Sequence, residues 1–522
     1  MGQGDAVRTT RRGALLAGAA ALAGCSPRPP DITGGFAGAS PERGHLLRDL
    51  RERPMPTISR RADVVIVGAG VAGLAAARAL RQRGIEDVVV LELEDAPGGN
   101  SRPGRIQGIA CPLGAHYLPV PGDAATEVQH LLEELGIRKR VNGRWQYDER
   151  HLCHAPQERL FFQGQWQDGL LPLNGVGATT LAQYLRFAQE VERARRGGAF
   201  RIPLRARDPL RAWDGETFAA WLDRRELRDP QLRWYLDYCC RDDYGAGLAT
   251  VSAWAGLHYF AGRHGFHPPG AEDSGEREAL LTWPEGNGWL TRALAAPLRD
   301  RLHTGRVVLR IAERRHGVEV DTFDVATRRV ERWLARRCIV ALPALVAARV
   351  VEDAPQAVRD LAAQARYAPW VVANLHLRQP LQASEGAAPA WDNVLYGSER
   401  SLGYVVATHQ DLDPLPGPTV LSWYQAPGEA RRAEVLRQPW QWWRDRALEE
   451  LSVPHPDLVR KLSHVEVARY GHAMAIPVPG ALSRLPRPPD SGRIRYAHAD
   501  WAGYSIFEEA FTLGHRAGSR RA

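Results

Sequence analysis

Residues Ala62–Arg102 read ADVVIVGAGVAGLAAARALRQRGIEDVVVLELEDAPGGNSR. Asp63 leads into the unbroken apolar run Val64-Val65-Ile66-Val67, the pattern of a parallel strand covered on both faces. Gly68-Ala69-Gly70-Val71-Ala72-Gly73 follows at once, and Leu74 to Arg83 predicts a helix that ends at Gly84. Val88 to Leu91 predicts a second buried strand, closing on Glu92. In such a unit Gly68 permits the tight turn, Gly70 leaves room for a pyrophosphate against the backbone, and Gly73 lets helix and strand pack closely. The helix start presents free N–H groups and a positive dipole end to phosphate. Glu92 lies about 20 residues on, where a carboxylate accepts hydrogen bonds from a ribose. The unit predicts dinucleotide binding; the alternative is a Gly-rich turn in an unrelated α/β protein.

A chain of 522 residues is long enough for two domains or one large interwoven fold, and 44% hydrophobic content is ordinary for a globular core. The net charge is +8; removing residues 1–24 takes away three arginines and one aspartate and leaves +6. Lys139 and Lys461 are the only lysines, and the arginines are interleaved with acids as on a solvated surface. This argues against a nucleic-acid stripe. The six cysteines are Cys25, Cys111, Cys153, Cys239, Cys240 and Cys338, with no CxxC pair and no metal-ligand spacing. Cys239-Cys240 reads either as a redox pair or as buried structural thiols.

The N-terminus carries Arg11-Arg12 before the apolar run Gly13–Gly24, which ends at Cys25. Twelve residues are too few for a span, which needs roughly 20, so the run reads as the core of an export signal. The paired arginines resemble a Tat signal. Leu22-Ala23-Gly24-Cys25 resembles a lipoprotein lipobox, with Cys25 as the lipid anchor and Ser26 favouring the outer membrane. The expectation is a periplasmic protein, lipid-anchored to the membrane, exported folded around a bound cofactor.

After Glu92, Asp95-Ala96-Pro97-Gly98-Gly99-Asn100-Ser101-Arg102 resembles the "GG…R" segment of the flavin amine oxidase and phytoene desaturase superfamily. That resemblance implies FAD, with Gly98, Gly99, Asn100 and Arg102 along its pyrophosphate. Gly114-Ala115-His116-Tyr117 resembles the superfamily stretch near the isoalloxazine, so His116 and Tyr117 either touch flavin or substrate or form an ordinary packed pair. At the C-terminus a strand from Arg493 to Ala497 precedes Asp500, Gly503 and a helix from about Ser505. The resemblance implies Asp500 at the FAD ribityl or phosphate region, and Tyr504, Ser505 and Ile506 at the helix start facing the flavin. There the dipole would stabilise charge on the reduced ring. Trp283–Trp289 resembles the superfamily's turn into a helix, and Val307-Val308-Leu309 its strand beside adenine. The implied fold class is α/β: a discontinuous Rossmann-type FAD-binding domain (62–144, 280–354 and 466–522) with an inserted mixed α+β substrate domain (145–279 and 355–465). Residues 1–24 are the signal and 25–61 a linker.

Two departures qualify the resemblance. Many superfamily oxidases carry a lysine in a stretch matching Arg366–Leu377, which here holds Val372, Ala373 and Asn374. That lysine is associated with reoxidation by oxygen. Monoamine oxidases clamp amines between two tyrosines; Tyr504 matches one, while Ala473 stands at the other. His472 reads as a covalent flavin attachment or a hydrogen-bonded histidine. Asp242-Asp243 could attract a cationic amine or cap a surface helix, and Trp440, Trp442 and Trp443 line a pocket or pack a core. The leading expectation is an amine-oxidising FAD enzyme with Tyr504 and His116 as catalytic candidates. It would act on a small molecule and pass electrons to oxygen or a respiratory carrier. A desaturase- or dehydrogenase-like enzyme acting on an apolar skeleton, and a flavin-binding envelope protein without turnover, are the alternatives.

Overall fold

The computed structural model describes residues 32–49, 54–198, 200–204, 211–263, 265–269, 279–398, 401–411, 416–489 and 492–520. Cys25 and the signal lie outside the described residues. The first described elements are β1 (Thr33–Ala37), α1 (Pro41–Asp49), β2 (Ile58–Val67), α2 (Val71–Gln82) and β3 (Val88–Leu91).

The strand–glycine–helix–strand unit forms as read. β2 pairs in parallel with β3 on one side and with strand Arg329–Val340 on the other. Strand Ile494–Tyr496 lies parallel to Arg329–Val340, and Gly317–Asp324 and Arg306–Arg314 extend that side antiparallel. Alternate residues of a strand face opposite layers. Val64 and Ile66 accordingly enter the core beneath α2, while Val65 and Val67 enter the core beneath helices Ala344–Val350 and Gln356–Gln364. Both layers cover the strand, which accounts for a run with no polar alternation.

Helix α2 is buried from Val71 to Leu80 because helix Phe507–Ser519 lies against its outer side. The two helices touch backbone to backbone. A Cβ at Gly514 would stand 2.0 Å from the Ala72 carbonyl oxygen, and one at Gly518 would stand 2.4 Å from that of Ala76. The two ends of the chain therefore meet on one cofactor-sized unit.

The second layer is an eight-stranded sheet whose central strand, Tyr367–Leu377, is buried throughout. One face of it packs a helical group that includes Ala178–Arg196, Pro230–Tyr244 and Ala253–Ala261. The other packs helix Trp440–Leu451, where Trp443 is fully buried and Trp440 and Trp442 pack beside it. These tryptophans build core, not a pocket. Strand Leu462–Ala475 lies wholly in this sheet, so the change of layer that the sequence placed at 466 comes only after Ala475.

The stretch read as a linker is structured where it is described. β1 pairs in parallel with Leu462–Ala475, and α1 follows it. The pattern TGGFA has weak strand propensity; the strand is made by its partner. Gly34 permits the contact, since a Cβ there would meet the Val465 carbonyl oxygen at 2.3 Å. Among the described residues no helix is long and apolar enough to cross a membrane, and no cluster of potential metal ligands occurs.

Candidate active site

A cavity of about 480 Å³ opens between the two layers. Part of its wall is the glycine turn. Gly68, Gly70, Val71 and Ala72 line it, and the α2 N-cap residue Gly70 provides no side chain to cap the helix. Its free N–H groups therefore face a space suited to an anion. Gly70 is extended (φ −73°), and a Cβ on it would have only the Gly99 Cα within 4 Å, at 3.9 Å. The side chain would enter the cavity itself. Gly73 differs: a Cβ there would stand 1.9 Å from the Gly68 carbonyl oxygen, so it serves helix–strand packing and lies off the wall.

Glu92 lines the cavity and is held at both oxygens. The Ala69 N–H donates to Oε2 at 2.7 Å and the Glu94 N–H to Oε1 at 3.0 Å. Ala69 acts through this contact and not by lining the wall. Burial pushes the Glu92 carboxyl above its usual range, and the two N–H groups partly offset it. Each carboxylate oxygen keeps a lone pair for a hydroxyl. Gly98 and Gly99 bring the next loop against Gly70 through positive φ (127° and 57°). Arg102, 5% exposed, turns its guanidinium onto the cavity, and its Nε and Nη1 hold no hydrogen bond. A buried guanidinium with free donors and a bare helix N-terminus, lining one cavity, fit a pyrophosphate.

Asp500 is 1% exposed and lines the same cavity. Its Oδ2 accepts from the Ala344 N–H at 2.8 Å and the Tyr367 hydroxyl at 2.5 Å. Burial opposes its charge, but His498 and these donors outweigh it and hold the carboxyl below its usual range. Asn100, Gly114, Ala115, Val308, Ser505 and Ile506 also line the cavity.

Tyr504 does not. It is fully buried beneath the wall, its hydroxyl donating to Glu509 Oε1 at 2.6 Å and its ring edge-on to Trp254 and His258. A short helical turn, Ala499–Ala502, and the left-handed Gly503 delay the last helix until Phe507. Ser505 and Ile506 reach the cavity in its place, and Ala473 of strand Leu462–Ala475 lines it too. No tyrosine clamp is formed at these two places. Tyr504→Phe should cost about 1–2 kcal/mol of stability by leaving Glu509 short of a donor, with KM unchanged. Thermal unfolding and steady-state kinetics check both halves.

His116 lines the cavity, stacked on Tyr424 at 4.3 Å between ring centroids. Burial pulls its pKa down to about 3, so it is a neutral wall residue. Its neighbour Tyr117 donates its hydroxyl to Asp242 Oδ2 at 2.8 Å. Asp242 and Asp243, on helix Pro230–Tyr244, are cavity residues and not surface caps. Burial and the Asp243 charge push Asp242 up to about 6. Asp243 pairs with Arg263 at 2.8 Å, leaving its own Oδ2 buried and unpartnered. Glu508, 3% exposed, lines the same region. Sequence reading missed Arg263 and Glu508; the only signal was an acidic pair, Glu508-Glu509, at a helix start. His472 lines the cavity edge-on to Tyr367 at 5.8 Å. Tyr367 and Trp370 are the wall residues from the strand that lacks a lysine; Asn374 is spent on the Pro112 carbonyl and Ser422. Cys239 and Cys240 are fully buried thiols whose pKa burial drives up, and no disulfide forms among the described residues.

The chain is similar to known proteins. AofH of Mycobacterium tuberculosis, named as a flavin-containing monoamine oxidase, is 30% identical over 264 residues, 50% of this chain and 53% of its own. An L-amino acid dehydrogenase of Synechocystis sp. is 26% identical over 317 residues, 57% of this chain and 59% of its own. The chain thus spans about half the length of the curated relatives it matches. A solved structure of putrescine oxidase bound to putrescine superposes with a TM-score of 0.67 at 18% identity, covering 88% of this chain and 99% of that one. At that identity it establishes the α/β fold. A family model for flavin containing amine oxidoreductases matches residues 71–519, from the first residue of α2 to the last of the C-terminal helix. Because that match covers most of the chain, the chain belongs to the flavin containing amine oxidoreductase family, and its cofactor is FAD.

Proposed function

We propose that the protein oxidises a small amine at the carbon bearing nitrogen. The observation that carries this reading is the charge of the cavity beyond the glycine turn: among the described residues three carboxylates, Asp242, Asp243 and Glu508, stand there with one guanidinium, Arg263, which pairs with Asp243. A buried excess of carboxylates favours a cationic ligand; Arg263 pairs with Asp243, which leaves Asp242 and Glu508, and Asp242 is the one that Tyr117 orients. FAD, when bound, supplies the two-electron acceptor for the carbon–hydrogen bond. The chain does the rest. Asp242, oriented by Tyr117, holds the ammonium; His116, backed by Tyr424, and Trp370 form a wall that excludes water; the helix start at Phe507 adds the positive end of its dipole. The resulting imine hydrolyses in water.

A second reading has its own support. No lysine lines the cavity: Lys461 is paired with Asp457 at 2.6 Å, and Lys139 lies on strand Arg138–Val141 at another place. A dehydrogenase-like enzyme that passes electrons to a respiratory carrier instead of oxygen accommodates that lack. Anaerobic mixing of the flavin-loaded protein with a panel of amines and with apolar isoprenoids separates the readings. Bleaching by amines is expected; bleaching by the isoprenoids alone selects a desaturase-like reaction, and bleaching by neither leaves a flavin-binding protein without turnover.

Export and anchoring are part of the proposal and rest on the N-terminal sequence. Cys25→Ala should move the protein from the membrane fraction to the soluble periplasmic fraction; continued membrane association of that variant would contradict a lipid anchor.

A further inference from the structure

We infer that residues 33–49 form a strap that completes the adenosine part of the FAD site. This stretch lies outside the family-matched residues 71–519. Ala39, Gly44 and Leu47 line the same cavity as Gly68, Glu92 and Val308.

Two attachments fix the strap. β1 is hydrogen-bonded along strand Leu462–Ala475, from Thr33 opposite His464 to Ala37 opposite Ala468. α1 is tied to the loop that follows β3. The Ser40 N–H donates to Glu94 Oε1 at 2.9 Å, and Arg43 donates to the Leu93 carbonyl at 3.3 Å and to Asp95 Oδ2 at 3.0 Å. Arg349 donates to the Leu47 carbonyl at 2.9 Å, closing the far end. The loop so clamped begins at Glu92, the residue placed to receive a ribose. Leu47 packs against the cluster that contains Val308, and Leu46 against the one that contains Val307 and Leu309. α1 buries no residue fully, so its apolar side is shared between these strands and the cavity.

The chemistry follows from this placement. A dinucleotide held by the glycine turn, Arg102 and Glu92 presents an apolar base to the wall carrying Val308, and Leu47 supplies a second apolar contact there. Arg43 and Ser40 act at one remove, as positioning residues for the Glu92–Asp95 loop.

The inference rests on FAD as the cofactor, and its test keeps the two apart. The full chain is stripped of flavin, and FAD and FMN are titrated against it by quenching of flavin fluorescence, for the unchanged chain, Leu47→Ala, Leu47→Met and Arg43→Ala. FMN lacks the adenosine half. We expect Leu47→Ala to weaken FAD binding about tenfold, Arg43→Ala to weaken it by a similar factor, Leu47→Met to stay near the unchanged chain, and FMN binding to be the same in all four. FAD affinities unaltered by Leu47→Ala and Arg43→Ala would overturn the strap while leaving the cofactor assignment intact. Equal losses for FAD and FMN would also overturn it, as a general loosening of the fold. An unchanged chain that binds neither flavin would remove the cofactor reading itself.

Discussion

Gly70→Val is expected to fold normally and hold no FAD, with affinity lower by at least ~100-fold. The expectation is sharp because the protein itself leaves room for the new side chain. A Cβ at Gly70 meets nothing closer than the Gly99 Cα at 3.9 Å, and the residue is already in the extended region that valine prefers. The space it fills is the part of the cavity at the bare α2 N-terminus, beside Gly99. Gly73→Ala provides the contrast. Its Cβ would press on the Gly68 carbonyl oxygen at 1.9 Å, so it should destabilise the fold by about 1–3 kcal/mol before any effect on flavin. Circular dichroism with flavin content on both variants separates a blocked site from a damaged one. Full flavin loading of Gly70→Val would refute the pyrophosphate assignment.

Asp242→Asn is expected to retain FAD and lose at least ~100-fold in kcat/KM for amines, the scale for removing a buried charge that meets an opposite charge on the ligand. Asn keeps the size and can still accept from Tyr117, so packing should change little. The pH profile adds a sign. With its pKa pushed up to about 6, Asp242 is neutral below that pH and cannot hold a cation electrostatically. The acid limb of kcat/KM should therefore rise through about 6 in the unchanged enzyme and vanish in the variant. Stability runs the other way. A carboxyl whose pKa is raised on folding, from about 3.9 when unfolded, contributes stability below about 4 that is lost as pH rises through its folded value. Asp242→Asn should flatten that decline. Amine turnover that survives the substitution, with the acid limb in place, would contradict Asp242 as the cation's partner.

The cofactor half of this site was legible because its signals are local. Four apolar residues, three glycines at fixed spacing and an acid after the next strand each state a backbone requirement that no tertiary context has to supply. The register of the last helix was less legible. Gly503 and the turn before it add residues between Asp500 and the helix, which turns Tyr504 into the core and presents Ser505 and Ile506 instead. The cation-binding part was hidden for a different reason. Asp242 and Arg263 come from neighbouring segments of the helical group, and Glu508 from the far end of the chain. Only packing of that group against the last helix brings them together, and an Asp-Asp pair at a helix end has the same pattern on a surface. The strap was hidden because its strand is made by a partner over 400 residues away and its glycines read as linker.

If this fold holds FAD and an amine reduces it, the visible absorption spectrum of the purified protein, followed by anaerobic addition of amines to the same sample, shows both. The expected result is a flavin band that is released on denaturation and is bleached by an amine. A well-folded protein that shows no flavin band even after FAD is added would contradict it.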